Sequence, residues 1–528
     1  MEAVYLRSNI QVEPLVDQWY AWPHLIPPAT LARNVTGRHL KIMQSYIAAP
    51  QIHANAVMNP RMSGGPFIDY GGKRVREIQA LFDQTVAHRS YLLELSKALE
   101  DLDRLLELQA NGESMHRLYE LVPKPLRGYV ELFYDLNNHP SYRLIEPLLY
   151  RSEFHNTDGQ GLVLSQITGD DRPFVLSTPR LSDRSVVPVQ LPFGDGAIDY
   201  LFSAKIEPKP LNEVLDRCRI PARYCPVVER FFTTEKPKRY SRYGGEGMRW
   251  RYFGHACILL ETPRLSFLFD PVLSYTYDSS ISRYTYDDLP DKIDYVLITH
   301  NHQDHLLFET MLQLRHKIEC VIVPRNGAGL LHDPSLKLIL EAIGFKNVIE
   351  LDEMQNVKFD GGYLTSLPFL GEHADLSVRT KLAYLVVLGG HKLVFAADSC
   401  NIEPELYRHL YREIKDVRAL FVGMECDGAP LSWLYGPLLT RPLERAQDQS
   451  RRLNGSNFEQ AIDIVNTLKC KEVFVYAMGQ EPWLNYIMSI KYTAESNPII
   501  QSNKLIEACR QRGITAERLF GEREMLLD

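Results

Sequence analysis

Tyr295-Val296-Leu297-Ile298-Thr299-His300-Asn301-His302-Gln303-Asp304-His305 is the stretch that decides how this chain is read. The apolar run at its start predicts a buried strand. A polar cluster, H-x-H-x-D-H, follows directly at the strand end. Imidazole and carboxylate are the ligands of Zn, Fe and Mn, and this cluster concentrates both. Along extended backbone His300 and His302 project the same way, so both can reach one ion. Asp304 and His305 lie past the turn, at the start of a helix predicted over Leu306–Lys317, and can hold a second ion. A chance group of solvated polar residues does not account for ligands framed by a strand and a helix.

The rest of the chain sets bounds around that motif. Its 528 residues allow about two to four domains. Hydrophobic residues make up 45% and charged residues 24%, the balance of a globular protein with sizeable cores. A net charge of −7 and a pI near 6.2 argue against nucleic-acid binding. The start, Met1-Glu2-Ala3-Val4-Tyr5-Leu6-Arg7, lacks a signal-peptide pattern, and no apolar stretch reaches membrane-spanning length. Eight cysteines without a C-x-x-C pair read as reduced thiols. The expectation is a cytoplasmic protein with no membrane and no nucleic-acid partner.

Two halves differ in texture, which sets expected domains at 1–243 and 244–528. The first opens on a Pro-rich segment, Trp22-Pro23 and Ile26-Pro27-Pro28, then shows helical periodicity in Val75, Ile78, Leu81, Phe82 and in Leu92 through Leu106. A further helix is predicted over His116–Asn137. Strands are predicted at Gly161–Leu164, Phe174–Leu176 and Ile198–Phe202. The boundary, Thr233–Gly247, carries the basic run Lys236-Pro237-Lys238-Arg239. It reads as a solvated linker or, more sharply, as a docking patch for an acidic partner. After Met248 short strands alternate with helices. They include Arg249–Glu261 as one strand, Ser266–Phe269, Cys320–Val323, Ala383–Leu388, Lys392–Ala396, Leu420–Gly423 and Glu472–Ala477. That rhythm predicts a layered sandwich.

Four motifs now line up: Phe253-Gly254-His255-Ala256, Phe269-Asp270-Pro271, the His300–His305 run and Ala396-Ala397-Asp398-Ser399. In this order they resemble the metallo-β-lactamase superfamily, from Met248 to about Met478. The resemblance implies an α+β fold. Its C-terminal part would be an αβ/βα sandwich with a dinuclear site at the strand ends, beside a separate N-terminal domain of mixed helices and strands. It also implies that Asp398 bridges two metals. Two departures stand out. The loop before the bridging residue, Leu370-Gly371-Glu372-His373-Ala374-Asp375-Leu376, offers a carboxylate as well as an imidazole. No histidine occurs beyond His409, so the late imidazole usual in hydrolases of this fold is missing. The residues leave Glu372 and His373 as alternative ligands. Carboxylate enrichment leans from Zn toward Fe or Mn.

Together these features resemble one branch of that superfamily, the diiron β-hydroxylases of nonribosomal peptide pathways of the chloramphenicol type, over the full length. The resemblance implies that His300, His302 and Glu372 bind one iron, that Asp304 and His305 bind the other, and that Asp398 bridges. It implies two Fe ions with oxo and carboxylate bridges, and O2 and external electrons as co-substrates. The implied reaction is β-hydroxylation of an aromatic amino acid tethered as a thioester to a carrier-protein domain, in antibiotic biosynthesis. The implied N-terminal domain supports a homodimer and helps to form a substrate channel. The expected catalytic residues are Glu372, Asp398 and Glu425, the last for proton delivery. His255 is expected to be structural and Asp270 to tie down a turn. The competing reading is a dinuclear zinc hydrolase of a thioester, lactone or phosphoester.

Overall fold

The computed structural model describes residues 3–238 and 240–527. Two seven-stranded sheets face each other from Met248 onward. The first runs Val348–Leu351, Ile318–Pro324, Ile293–Leu297, Ser266–Phe269, Cys257–Glu261, Met248–Gly254, Arg523–Leu527. The second runs Asn356–Phe359, Gly362–Leu367, Ala383–Leu388, His391–Phe395, Ala419–Gly423, Glu472–Tyr476, Thr515–Arg518. Inward-pointing aromatics fill the gap between them: Trp250, Phe267, Tyr384, Phe421 and Phe474 are all buried there. Phe269 and Phe395 stack with ring centres 3.8 Å apart across the gap. Helices Pro404–Ile414, Phe458–Leu468 and Asn497–Gln511 cover the second sheet with an apolar face of their own. The architecture is a four-layer αβ/βα sandwich.

Parallel strands lie within each sheet. Ser266–Phe269, Ile293–Leu297 and Ile318–Pro324 run together in the first, and His391–Phe395, Ala419–Gly423 and Glu472–Tyr476 in the second. Loops that follow the carboxyl ends of such strands form the crevice where α/β folds place ligands. Asp270, the His300–His305 run, Asp398 and Glu425 all leave these strand ends.

Residues before Met248 form a unit with long helices Val75–His88 and Ser90–Gln109 and a strand Ile10–Val16 paired antiparallel with Gln160–Gln166. Its apolar interior is continuous with the layer over the first sheet, joining Leu95 and Leu99 to Leu312 and Ile339 in one cluster. Buried polar groups also cross between the two. Glu309 accepts hydrogen bonds from Tyr20 and Tyr275, each at 2.7 Å, and pairs with Arg172 at 3.0 Å. Arg172 also reaches Glu13 and stacks over Tyr486. Glu309 lies on Phe308–Leu314, the helix that follows the histidine run.

Several sequence expectations give way. The single strand over Arg249–Glu261 is a hairpin of two strands, because Gly254 and His255 both take positive φ between them. The helix over His116–Asn137 becomes short 3-10 turns and a strand pair, Val130–Tyr134 with Pro140–Leu144. Pro123, Pro125 and Gly128 interrupt the helical ladder there. Ile198–Phe202 is not a strand but part of a helix, Gly196–Ser203, capped by the Asp195 side chain. Phe174–Leu176 has no strand partner; Val175 N–H donates to the Tyr486 carbonyl instead.

Candidate metal centre

Each ligand side chain is placed by a local device. His300 follows strand Ile293–Leu297 and bridges to Lys381. The chain then turns, and His305 N–H donates to the His302 carbonyl. The Glu372 backbone is held at φ +67°, and Ala397, beside Asp398, at +45°. Non-glycine residues rarely accept such torsions, and their gathering at one crevice is strain stored where geometry matters. Gly423 faces Asp398 so closely that an added Cβ would sit 2.5 Å from Oδ1. The second sheet therefore needs a glycine there to leave room for the carboxylate.

The candidate ligand atoms gather in three overlapping groups, each within 4.8 Å: His300, His302 and Glu372; His255, Asp304 and His305; and His300, His305 and Asp398. The third group takes one histidine from each of the other two, which sets Asp398 between them. Glu372 Oε1 lies 3.0 Å from His302 Nδ1, and Asp398 Oδ2 lies 3.0 Å from His305 Nε2. His255, expected to be structural, has its Nε2 3.3 Å from Asp304 Oδ2 and 3.2 Å from His305 Nε2. The sequence carried a signal for it, the F-G-H-A motif, but no spacing to the other histidines. His373 stays close, with its ring 4.6 Å from that of His302. Its Nδ1 meets the Tyr435 hydroxyl at 2.8 Å, and it belongs to none of the three groups. Glu425 also stays outside them, with Oε1 accepting from Asp427 N–H.

Behind the ligands the first sheet is firmly tied. Asp270 Oδ2 is 2.8 Å from His305 Nδ1 and also accepts from the Thr299 hydroxyl, while Oδ1 accepts from Thr299 N–H. Asp270 does steady a turn, and it also fixes which ring nitrogen of His305 faces the crevice. Thr299 Oγ1 does the same for His300 Nδ1 at 3.0 Å.

Electrostatics follow from closure. Burial disfavours charge on every member. On His305 the nearby Asp398 and Asp270 outweigh that penalty and raise its pKa well above the usual histidine value. Burial, then His305 and His302, push His300 well below it. Burial raises Glu372, against the pull of His302. Burial, helped by Asp427 and Asp398, lifts Glu425 to about 8, against a hydrogen bond from Asp427 N–H.

The donor set fits a pair of metal ions. His300 Nε2, His302 Nε2, Glu372 Oε2 and Asp398 Oδ1 are buried with no hydrogen-bond partner in the protein. Buried lone pairs left unmatched are costly, and cations would match all four at once. Imidazole nitrogen with several carboxylates suits iron.

Residues 5–237 match the diiron non-heme β-hydroxylase N-terminal domain, and residues 266–428 match the β-lactamase superfamily domain. The chain is 40% identical, over 99% of both sequences, to the 4-amino-L-phenylalanyl-[CmlP-peptidyl-carrier-protein] 3-hydroxylase of Streptomyces venezuelae. This chain belongs to the diiron β-hydroxylase family. The crystal structure of CmlA, a diiron β-hydroxylase from Streptomyces venezuelae, superposes with a TM-score of 0.93 at 39% identity and covers all of both chains. A glutamate-to-aspartate mutant of that β-hydroxylase superposes with a TM-score of 0.92, also at 39% identity, and covers 99% of this chain and all of its own. Membership in the diiron β-hydroxylases makes the chain a hydroxylase that works with two irons, and decides against the zinc hydrolase.

Proposed function

We propose that this β-hydroxylase inserts one oxygen atom at the β-carbon of an aromatic amino acid held as a thioester on a peptidyl-carrier domain, in antibiotic biosynthesis. The observation that carries the reading is the arrangement of His300, His302 and Glu372 beside His305 and Asp304, with Asp398 between the two sets. In the proposal those residues hold the two irons, with Asp398 as the bridge. When bound, the irons supply the redox chemistry by which O2 and external electrons oxidise a C–H bond. The protein's own part is to close and orient. His305 is held to Asp270 and His300 to Thr299, so neither ring can turn away. Glu425, lifted to about 8 by burial, retains a proton at neutral pH on Oε2, an atom with no protein partner. It is the proposed proton donor at the crevice edge.

The N-terminal unit is proposed to shape the substrate's route. A cavity of about 560 Å³ lies between it and the Leu431–Tyr435 helix, lined by Arg38, Lys41, Phe67, Phe174 and Trp433. On the other side of that helix Tyr435 touches His373, next to Glu372. The cavity is the proposed entry for a carrier's flexible arm. The same unit is proposed to support a homodimer and an external reductant to deliver electrons. No described helix is long and apolar enough to cross a membrane, and the proposed setting is the cytoplasm.

The test is to incubate reduced enzyme with O2 and a panel of aminoacyl-loaded carriers. A mass gain of one oxygen on an aromatic aminoacyl carrier is the expected result. Hydrolysis of the thioester without oxygen gain would overturn the proposal. The basic linker is a second element of it. Lys236 and Lys238 are exposed, and Arg239 lies outside the described residues. Reversing all three charges should weaken carrier binding by a few-fold and leave iron content unchanged. Unchanged turnover would reduce the segment to a connector.

A further inference from the structure

The helix Leu40–Ala48 is entered through a turn of π-helix, Val35–His39. Such wide turns are rare and gather at functional sites. Gly37, on that turn, lies so close to Pro437 that an added Cβ would sit 3.1 Å from the proline Cα. The close approach sets two cations, Arg38 and Lys41, on the wall of the cavity of about 560 Å³. Three positions apart, they lie on one side of the helical segment. Lys41 is exposed and marks the mouth of the cavity, while Arg38 is partly buried and stands further in.

Neither cation has an acidic partner among the described residues. The contrast with Arg33, one turn earlier, is plain. Both arginines donate to carbonyls of the 433–439 segment, Arg33 to Pro437 at 3.1 Å and Arg38 to Trp433. Arg33 is neutralised by Glu100. Other guanidinium groups that join the two units are paired as well, Arg172 with Glu309 and Arg315 with Asp199. Arg38 spends Nη2 on the Trp433 and Leu434 carbonyls, and its Nε and Nη1 are left without a partner among the described residues. No carboxylate lines the cavity. Asp448, tied to the lining residue Ser432, accepts from its N–H at 2.8 Å and its hydroxyl at 2.7 Å and pairs with neither cation. A partly desolvated cation without a counter-charge is costly. In a chain of net charge −7, two such cations on an acid-free wall are a place for an anion.

We infer that Arg38 and Lys41 bind the phosphate of the carrier's phosphopantetheine arm. This rests on the substrate reading above and deepens it. The thioester that holds the amino acid ends such an arm, and the arm's one anionic group is the phosphodiester that joins it to the carrier. A pair of methyl groups follows directly after that phosphate. The cavity offers both kinds of contact, cations for the phosphate and the rings of Phe67, Phe174 and Trp433 for the apolar part. Trp433 is fixed in the wall, since its Nε1 donates to the Gly64 carbonyl at 3.0 Å. The guanidinium presents free N–H groups to phosphate oxygens, and the lysine adds a point charge. A free inorganic anion would have no use for the aromatic walls. Gripping the phosphate fixes one end of the arm and so limits how far the thioester travels.

The experiment measures binding to the anaerobic iron-loaded enzyme, where no turnover occurs. The probes are the L-phenylalanyl thioesters of 4′-phosphopantetheine and of pantetheine, which differ only in the phosphate. Wild type should prefer the phosphorylated arm by about ten-fold, the size of one charge-assisted hydrogen bond. Lys41→Gln should lower that preference to about three-fold, and Lys41→Glu should abolish it, with iron content and affinity for the phosphate-free arm as in wild type. Arg38→Gln should abolish it too. A wild type that binds both arms alike would overturn the inference, and so would an undiminished preference in Lys41→Glu. In either case oxygen gain on a loaded carrier would leave the substrate reading standing. No oxygen gain on any loaded carrier would remove that reading, and the assignment of the arm with it. Should Arg38→Gln not melt cooperatively, because Arg38 also holds the Trp433 carbonyl, the two variants at exposed Lys41 decide alone.

Discussion

The two sheets contribute unlike halves to one centre. The first supplies imidazoles whose outer nitrogens are tied, His305 to Asp270 and His300 to Thr299. The second supplies carboxylates with loose ends, since Glu372 Oε2, Asp398 Oδ1 and Glu425 Oε2 find no partner in the protein. One side is a fixed frame. The other keeps oxygens uncommitted, so Glu372 and Asp398 would be free to change binding mode if ions were held there. A planar ring with a single lone pair per nitrogen cannot do that, and a carboxylate with two oxygens can. The division therefore reads as a rigid wall opposite an adaptable one.

Breaking the bridge between the walls should have the largest effect. Asp398→Ala removes a carboxylate that reaches a histidine of each proposed ligand set, and turnover should fall by about a thousand-fold or more, with iron lost from the pair. Iron counting beside the mass-gain assay checks this; full iron content with full turnover would dissolve the bridging role. Loosening the fixed wall comes next. Asp270→Asn leaves every ligand in place but releases His305, and metal affinity should drop by about 10–100-fold in chelator competition. An unchanged affinity would mean that the frame does not need its outer ties.

The adaptable wall is sharpened by Glu425→Gln, with an expected fall of about ten-fold in turnover and a changed pH profile. Wild-type turnover should decline as pH rises through about 8, where Glu425 gives up its proton, and the variant should lack that limb. Folded Glu425 titrates near 8 against an ordinary 4.5, so between those values the folded state binds more protons than the unfolded one. Stability due to this group is complete below about 4.5 and is lost as pH climbs toward 8. Chemical denaturation of wild type and variant across that range should show the slope in one and not in the other. The smallest effect belongs to Lys381, whose Nζ holds the Gly371 carbonyl at 3.0 Å. Lys381→Met should relax the loop that carries Glu372 and weaken iron binding by a few-fold.

Much of this contrast could be read from residues alone. The histidine run with its strand pointed to two metals, and the rhythm of short strands and helices pointed to a sandwich; the Ala-Ala-Asp motif gained its role from the family resemblance. Other parts could not. His255 lies 45 positions before His300 in the chain yet touches Asp304 and His305. No local spacing announces such a contact. Ile198–Phe202 looked like a strand by its apolar character, and the cap at Asp195 made it a helix. Glu309 was one helix residue among many until Tyr20, Tyr275 and Arg172 closed on it from both units.

The sequence by itself marked a candidate dinuclear metal site, since ligand types and alternation along a strand are local properties of the chain, while iron rather than zinc came from the family resemblance. The residues alone left Glu372 and His373 as equals, because adjacent residues differ only in which way the backbone turns them. The tertiary structure turned Glu372 toward His302 and His373 toward Tyr435, through a left-handed torsion that only the surrounding packing can hold. It also joined Tyr20 and Arg172 of the N-terminal unit to Glu309, a contact fixed by long-range burial that no pattern in the chain records.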